Sequence, residues 1–85
     1  MSADEIRVRI KRAVSQIAGI AVDCIPDDAR FIEDLGLDSL SVIESLVVVE
    51  HELRLQPQDE DMEFKVHSIE DAVQLVQSQL MRKAG

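Results

Sequence analysis

The sequence predicts an all-α fold: a small four-helix bundle with three principal helices, a short third helix and a long loop between helices 1 and 2. Three observations carry this. Apolar residues recur at helical spacing in residues 4–18, in 39–53 and again after Ser68. Capping residues stand before these segments and a stop residue follows the first. Aromatics are nearly absent, with Phe31 and Phe64 alone and no Trp or Tyr, so the core has to be aliphatic, from Ile, Leu and Val. Eighty-five residues allow one domain, read as residues 1–85. A chain this short buries about 60–65% of its unfolded surface, which makes the core modest.

In the first helix, residues 4–18, Ile6, Ile10, Ala13, Val14 and Ile17 fall on one face, and Val8 lies opposite. Ser2 followed by Glu5 fits a capping box, and Gly19 is a stop. The loop from Gly19 to Leu37 is long for so small a domain. Ile20, Val22, Ile25, Phe31, Ile32 and Leu35 are expected to pin it to the bundle, with Phe31 as a core plug and Cys24 as a small hydrophobe. Pro26-Asp27-Asp28 reads as a turn.

The second helix is expected from Ser39 to Leu53, capped by Asp38, whose carboxylate can accept from first-turn N–H groups. Val42, Ile43, Leu46, Val49 and Leu53 make its core face. Leu40, Glu44, Val47 and His51 form a second stripe, with Ser41 and Val48 beside it. Apolar residues rimmed by charge on a water-facing stripe point to a partner surface. Residues 54–58 read as a connection in which Pro57 breaks any continuation of the helix, and residues 59–64 read as the short third helix with Met62 or Phe64 facing inward. Ser68 caps the fourth helix with Asp71 as its capping-box partner; Ile69, Ala72, Val73, Val76 and Leu80 are its apolar face.

Charge narrows the function. Nine basic against seventeen acidic residues leave a net −8, which argues against nucleic acid as a partner and for basic protein surfaces. Thirteen of the acids lie between Asp23 and Glu63, around Ser39. A single cysteine precludes an internal disulfide and fits a reducing compartment, so a cytoplasmic protein is expected. No apolar run has membrane-spanning length. No metal site is expected: Cys/His spacing is absent, and Asp59-Glu60-Asp61 lacks the alternation of an EF-hand loop. Catalytic residues are not expected either. His51 stands roughly 18 Å from Ser39 at 1.5 Å per helical residue, and no G-x-S-x-G surrounds the serine.

Ser39 itself follows the Leu35-Gly36-Leu37 loop and Asp38, at a helix N-terminus where a phosphate would be favoured. Phe31-Ile32-Glu33-Asp34-Leu35-Gly36-Leu37-Asp38-Ser39-Leu40 resembles the acyl carrier protein signature F-x-E-D-L-G-x-D-S-L. The likeness runs without a gap from about Ile6 to Leu53, and more loosely to Leu80. It implies a stand-alone, monomeric carrier of type II whose Ser39 is esterified by 4′-phosphopantetheine from coenzyme A. It implies two kinds of partner: a phosphopantetheinyl transferase, and acyl-processing enzymes with basic docking surfaces. By the same likeness Asp38, Glu44 and Glu50 are docking acids beside Leu40, Val47 and His51.

Ser41 and His51 stand where family members frequently carry acids, and one extra residue lies between Leu53 and Val66. These departures fit a specialised pathway, such as polyketide or lipid-tailoring biosynthesis, at least as well as housekeeping fatty-acid synthesis. Gly36-Leu37-Asp38-Ser39 is closer to acyl than to peptidyl carriers, while an aminoacyl cargo stays open. A small acidic interaction domain without a prosthetic group is the reading from another class.

Overall fold

Helix α1, Ala3–Ala18, starts and stops where its caps dictate. Ser2 accepts from the Glu5 N–H at 3.2 Å, and Gly19 at φ 71° turns the chain out of the helix while its N–H reaches the Ser15 carbonyl. In the computed structural model, which describes residues 1–55 and 65–84, two further long helices follow: α2, Ser39–Glu52, and α3, Ile69–Ala84. Here α3 is the fourth helix expected from the sequence; the expected short helix at 59–64, with Met62 and Phe64, lies outside the described residues. Among the described residues there is no strand, only one isolated antiparallel bridge, Arg30 to Ser68.

Helix α1 packs against both α2 and α3. Their shared core contains Ile6, Ile10 and Val14 from α1, Val42, Leu46 and Val49 from α2, and Ile69, Val73 and Val76 from α3. Val8 is exposed, as its place opposite the face requires. The cations of α1 hold neighbouring elements at their edges: Arg7 pairs with Asp4 at 2.6 Å and with Glu70 of α3 at 2.7 Å, Arg9 with Glu52 of α2 at 3.4 Å, and Lys11 with Asp27 of the loop.

The long loop is ordered by its own hydrogen bonds as well as by apolar anchors. A 3₁₀ turn spans Val22–Cys24, and the Ala29 N–H closes a turn on the Pro26 carbonyl. Ile25, Ala29, Phe31 and Leu37 are buried, and Phe31 is the largest fully buried side chain among the described residues. Two expectations fail here. Ile32 is 53% exposed, because Phe31 takes the core position and the tight turn that follows carries its neighbour outward. Cys24 is exposed at the end of the 3₁₀ turn, while adjacent Ile25 faces the core instead.

Helix α2 ends in a Schellman arrangement. The Leu55 N–H reaches the Glu50 carbonyl at 2.8 Å and the Arg54 N–H reaches that of His51 at 3.2 Å. Arg54 occupies the left-handed region at φ 56°, where glycine would be unstrained, and buried Leu55 supplies the apolar contact of the motif. Lys83 of α3 donates to the Leu53 carbonyl at 3.1 Å and ties the two helix ends together.

Candidate functional site

The loop places Ser39 by a short series of backbone bonds. Phe31 donates its N–H to the His67 carbonyl at 2.9 Å, and Ile69 donates to the Ala29 carbonyl at 3.0 Å, so the loop is stitched to the start of α3. Gly36, at φ 70°, closes the next turn: its N–H reaches the Ile32 carbonyl, and the Leu37 N–H reaches that of Phe31 at 3.0 Å. Leu37 is buried, so the chain leaves the core directly before Asp38 and Ser39, both of which are exposed.

Asp38 is the N-cap of α2, and its carboxylate accepts from the Ser41 N–H at 2.7 Å. That backbone bond, with a second contribution from the Ser41 hydroxyl, holds the Asp38 carboxyl below the usual carboxylate range. The first intrahelical bond runs from the Val42 N–H to the Asp38 carbonyl. The N–H groups of Ser39 and Leu40 therefore belong to the first turn, which the helix itself does not satisfy. An exposed hydroxyl among such N–H groups fits a phosphodiester, since helix N-termini favour anions.

The second stripe of α2 opens outward from this point. Leu40 is 62% exposed and Val47 is 46% exposed, while Glu44 and His51 are also exposed. Ser41 is half-buried, and Val48 packs partly on the core. Glu50 does not join them: it is 2% exposed and accepts from the Gln79 amide of α3 at 2.6 Å. The reason is angular. Six residues at about 100° each carry Glu50 about 240° round the helix from Glu44. Glu50 stands four residues after Leu46 and beside Val49, on the face that α2 turns inward. Gln79 was legible in the same way, three residues after Val76 on the apolar face of α3. Ser45 is a third buried polar side chain, its hydroxyl donating to the Ser41 carbonyl at 2.9 Å.

Among the described residues no group of three or more His, Cys, Asp and Glu side chains is placed to hold a metal ion, and no helix is long and apolar enough to cross a membrane. What the site provides is an accessible serine on a rigid helix start beside a mixed acidic and apolar face. An exposed hydroxyl so placed suits a scaffold for a covalently held group.

The family follows from comparison with known sequences. Residues 8–76 match the family described as "Phosphopantetheine attachment site", and the chain belongs to it. The prosthetic group of that family is 4′-phosphopantetheine. The chain is also similar to an acyl carrier protein of Chloroherpeton thalassium, with 32% identity over 76 residues that cover 89% of this chain and 94% of that protein.

Proposed function

We propose that this chain carries acyl groups as thioesters on 4′-phosphopantetheine esterified to Ser39, and delivers them to enzymes of fatty-acid, polyketide or related specialised biosynthesis. The observation that supports it most is the exposed Ser39 at the start of α2, inside the string from Phe31 to Leu40. Loading breaks the Ser39 O–H bond and joins Oγ to the phosphorus of coenzyme A's pantetheine phosphate, with 3′,5′-ADP as the leaving group. Asp38 caps the first turn, which holds the backbone of Ser39 at the helix start. When attached, the group supplies a terminal thiol on a flexible arm for acyl transfer. Cargo then moves between enzymes that recognise the protein.

Recognition is assigned to Leu40, Glu44, Val47 and His51, with Asp38 beside the serine. Exposed carboxylates there suit lysine- and arginine-bearing partner surfaces, and Leu40 and Val47 add apolar contact. Because Glu50 is buried, the exposed carboxylates of α2 and its cap are Asp38, Glu44 and Glu52, the last in a surface pair with Arg9. A reducing, cytoplasmic setting suits the exposed, unpaired thiol of Cys24. The test is intact mass after incubation with coenzyme A and a phosphopantetheinyl transferase. One phosphopantetheine should be gained by the wild type and none by Ser39→Ala, whose helical circular-dichroism spectrum should be unchanged. Modification at Ser41, or no gain in the wild type, would remove the assignment.

A further inference from the structure

Asp34 lies five residues before Ser39 and is exposed, which on charge alone would class it with the docking acids. Its hydrogen bonds say otherwise. In the bridge between Arg30 and Ser68, the bonds are carried by the flanking residues, Phe31 to His67 and Ile69 to Ala29. The N–H groups of Arg30 and Ser68 thus point away from each other and need acceptors elsewhere. An aspartate meets each of them. The Ser68 N–H donates to Asp71 Oδ2 at 3.2 Å, and the Arg30 N–H donates to Asp34 Oδ2 at 2.8 Å.

Asp34 also closes the turn from the other side. Its own N–H and that of Leu35 both donate to the Arg30 carbonyl, at 3.1 and 3.2 Å. The turn is then locked at its far end by the Gly36 and Leu37 bonds, and two residues later Ser39 begins α2. We infer that Asp34 is a positioning residue: its carboxylate holds the turn that sets where Ser39 stands, and its charge is secondary. This inference rests on the assignment of Ser39 as the loaded residue.

Loading kinetics with a phosphopantetheinyl transferase and coenzyme A separate the two roles. Asp34→Ala removes acceptor and charge, whereas Asp34→Asn removes the charge and keeps an acceptor oxygen. A misplaced serine lowers the rate within the bound complex, so Asp34→Ala should lower kcat about tenfold with KM little changed, at low and high salt alike. Asp34→Asn should return to within about twofold of the wild type. Asp28→Asn serves as a charge-loss control in the same loop and should load normally. Amide hydrogen exchange supplies a second readout that needs no variant: the Arg30 N–H should be protected in the wild type.

Equal slowing in Asp34→Ala and Asp34→Asn, appearing in KM and relieved by salt, would make Asp34 a docking charge and overturn the inference. So would normal loading of Asp34→Ala, or an unprotected Arg30 amide. If Asp34→Ala fails to fold, Asp34→Asn and the Arg30 amide decide between the same outcomes. A wild type that takes up no phosphopantetheine would overturn the Ser39 assignment and this inference together, whereas a loaded wild type with a fast Asp34→Ala overturns this inference alone.

Discussion

Glu44 and Glu50 lie on one helix, less than two turns apart, and have opposite fates. Glu44 is exposed between Leu40 and Val47, on the face where a partner can reach it. Glu50 is buried against Gln79, and its backbone carbonyl also closes the end of α2 through Leu55. One side of α2 is therefore exposed along Leu40, Glu44, Val47 and His51, while the side that carries Glu50 holds α2 to α3. The lesson is that a carboxylate's role depends on the angle at which its helix presents it, and not on its distance along the chain from the site.

The largest effect expected from this contrast is on stability. Glu50→Lys should lose about 3 kcal/mol or more in urea denaturation, because a second buried donor would face the Gln79 amide and an unmatched charge would enter the core. Glu44→Lys should change stability by no more than about 0.5 kcal/mol, as surface substitutions usually do. Similar midpoints for the two variants would dissolve the distinction between them.

Partner binding should show the reverse order. Glu44→Lys is expected to weaken association with a basic partner enzyme about threefold to tenfold at low salt, with the loss shrinking as salt rises. Val47→Asp should weaken it with little salt dependence, since apolar contact is lost there. Titration of each variant at two ionic strengths checks this; unaltered affinity in both would move the docking surface off this stripe.

The smallest effect sharpens the comparison at the helix start. Asp38 and Asp27 both have carboxyl pKa values lowered in the folded state, by the Ser41 N–H and by Lys11 respectively. Their contribution to stability is therefore present above the ordinary carboxylate pKa near 3.8 and is lost as pH falls through the lower folded values. Repulsion among the acids acts the other way between neutral pH and about 5, where partial protonation relieves it. The melting temperature should rise slightly on mild acidification and fall below about pH 4. In Asp38→Asn the lower fall should be shallower. A melting temperature that declines steadily from pH 7 would mean that repulsion is not what limits stability. Added sodium chloride should raise it at pH 7 and should reproduce most of any divalent-cation effect at matched ionic strength.

Much of this was legible in the chain because the signals are local. Ile6, Ile10, Val14, Val42, Leu46, Val49, Ile69, Val73 and Val76 repeat at helical spacing and all reach the core. Ser2, Gly19, Asp38 and the Ser68–Asp71 pair mark helix ends through short-range hydrogen bonds, and each acts as its residue type suggests. Ser39 stood out by the same means, through a glycine-bearing loop, an N-cap and an amphipathic run after it.

The places where the expectation failed depend on contacts between distant segments. Placing Glu50 with the docking acids followed the family likeness; the helical angle already turned it inward, and a hydrogen bond from Gln79, twenty-nine residues on, supports its burial. Ile32 looks like an anchor until the Arg30–Ser68 bridge and the tight turn give the inward position to Phe31. Asp34 looks like surface charge until that bridge leaves the Arg30 N–H facing it. The three long helices, their caps and the place of Ser39 at a helix start follow from the chain alone, because hydrophobic period and capping act within a few residues. Tertiary structure alone decided which acids are open to a partner and which are struts, because burial and hydrogen-bond satisfaction are settled only when segments far apart in the chain meet.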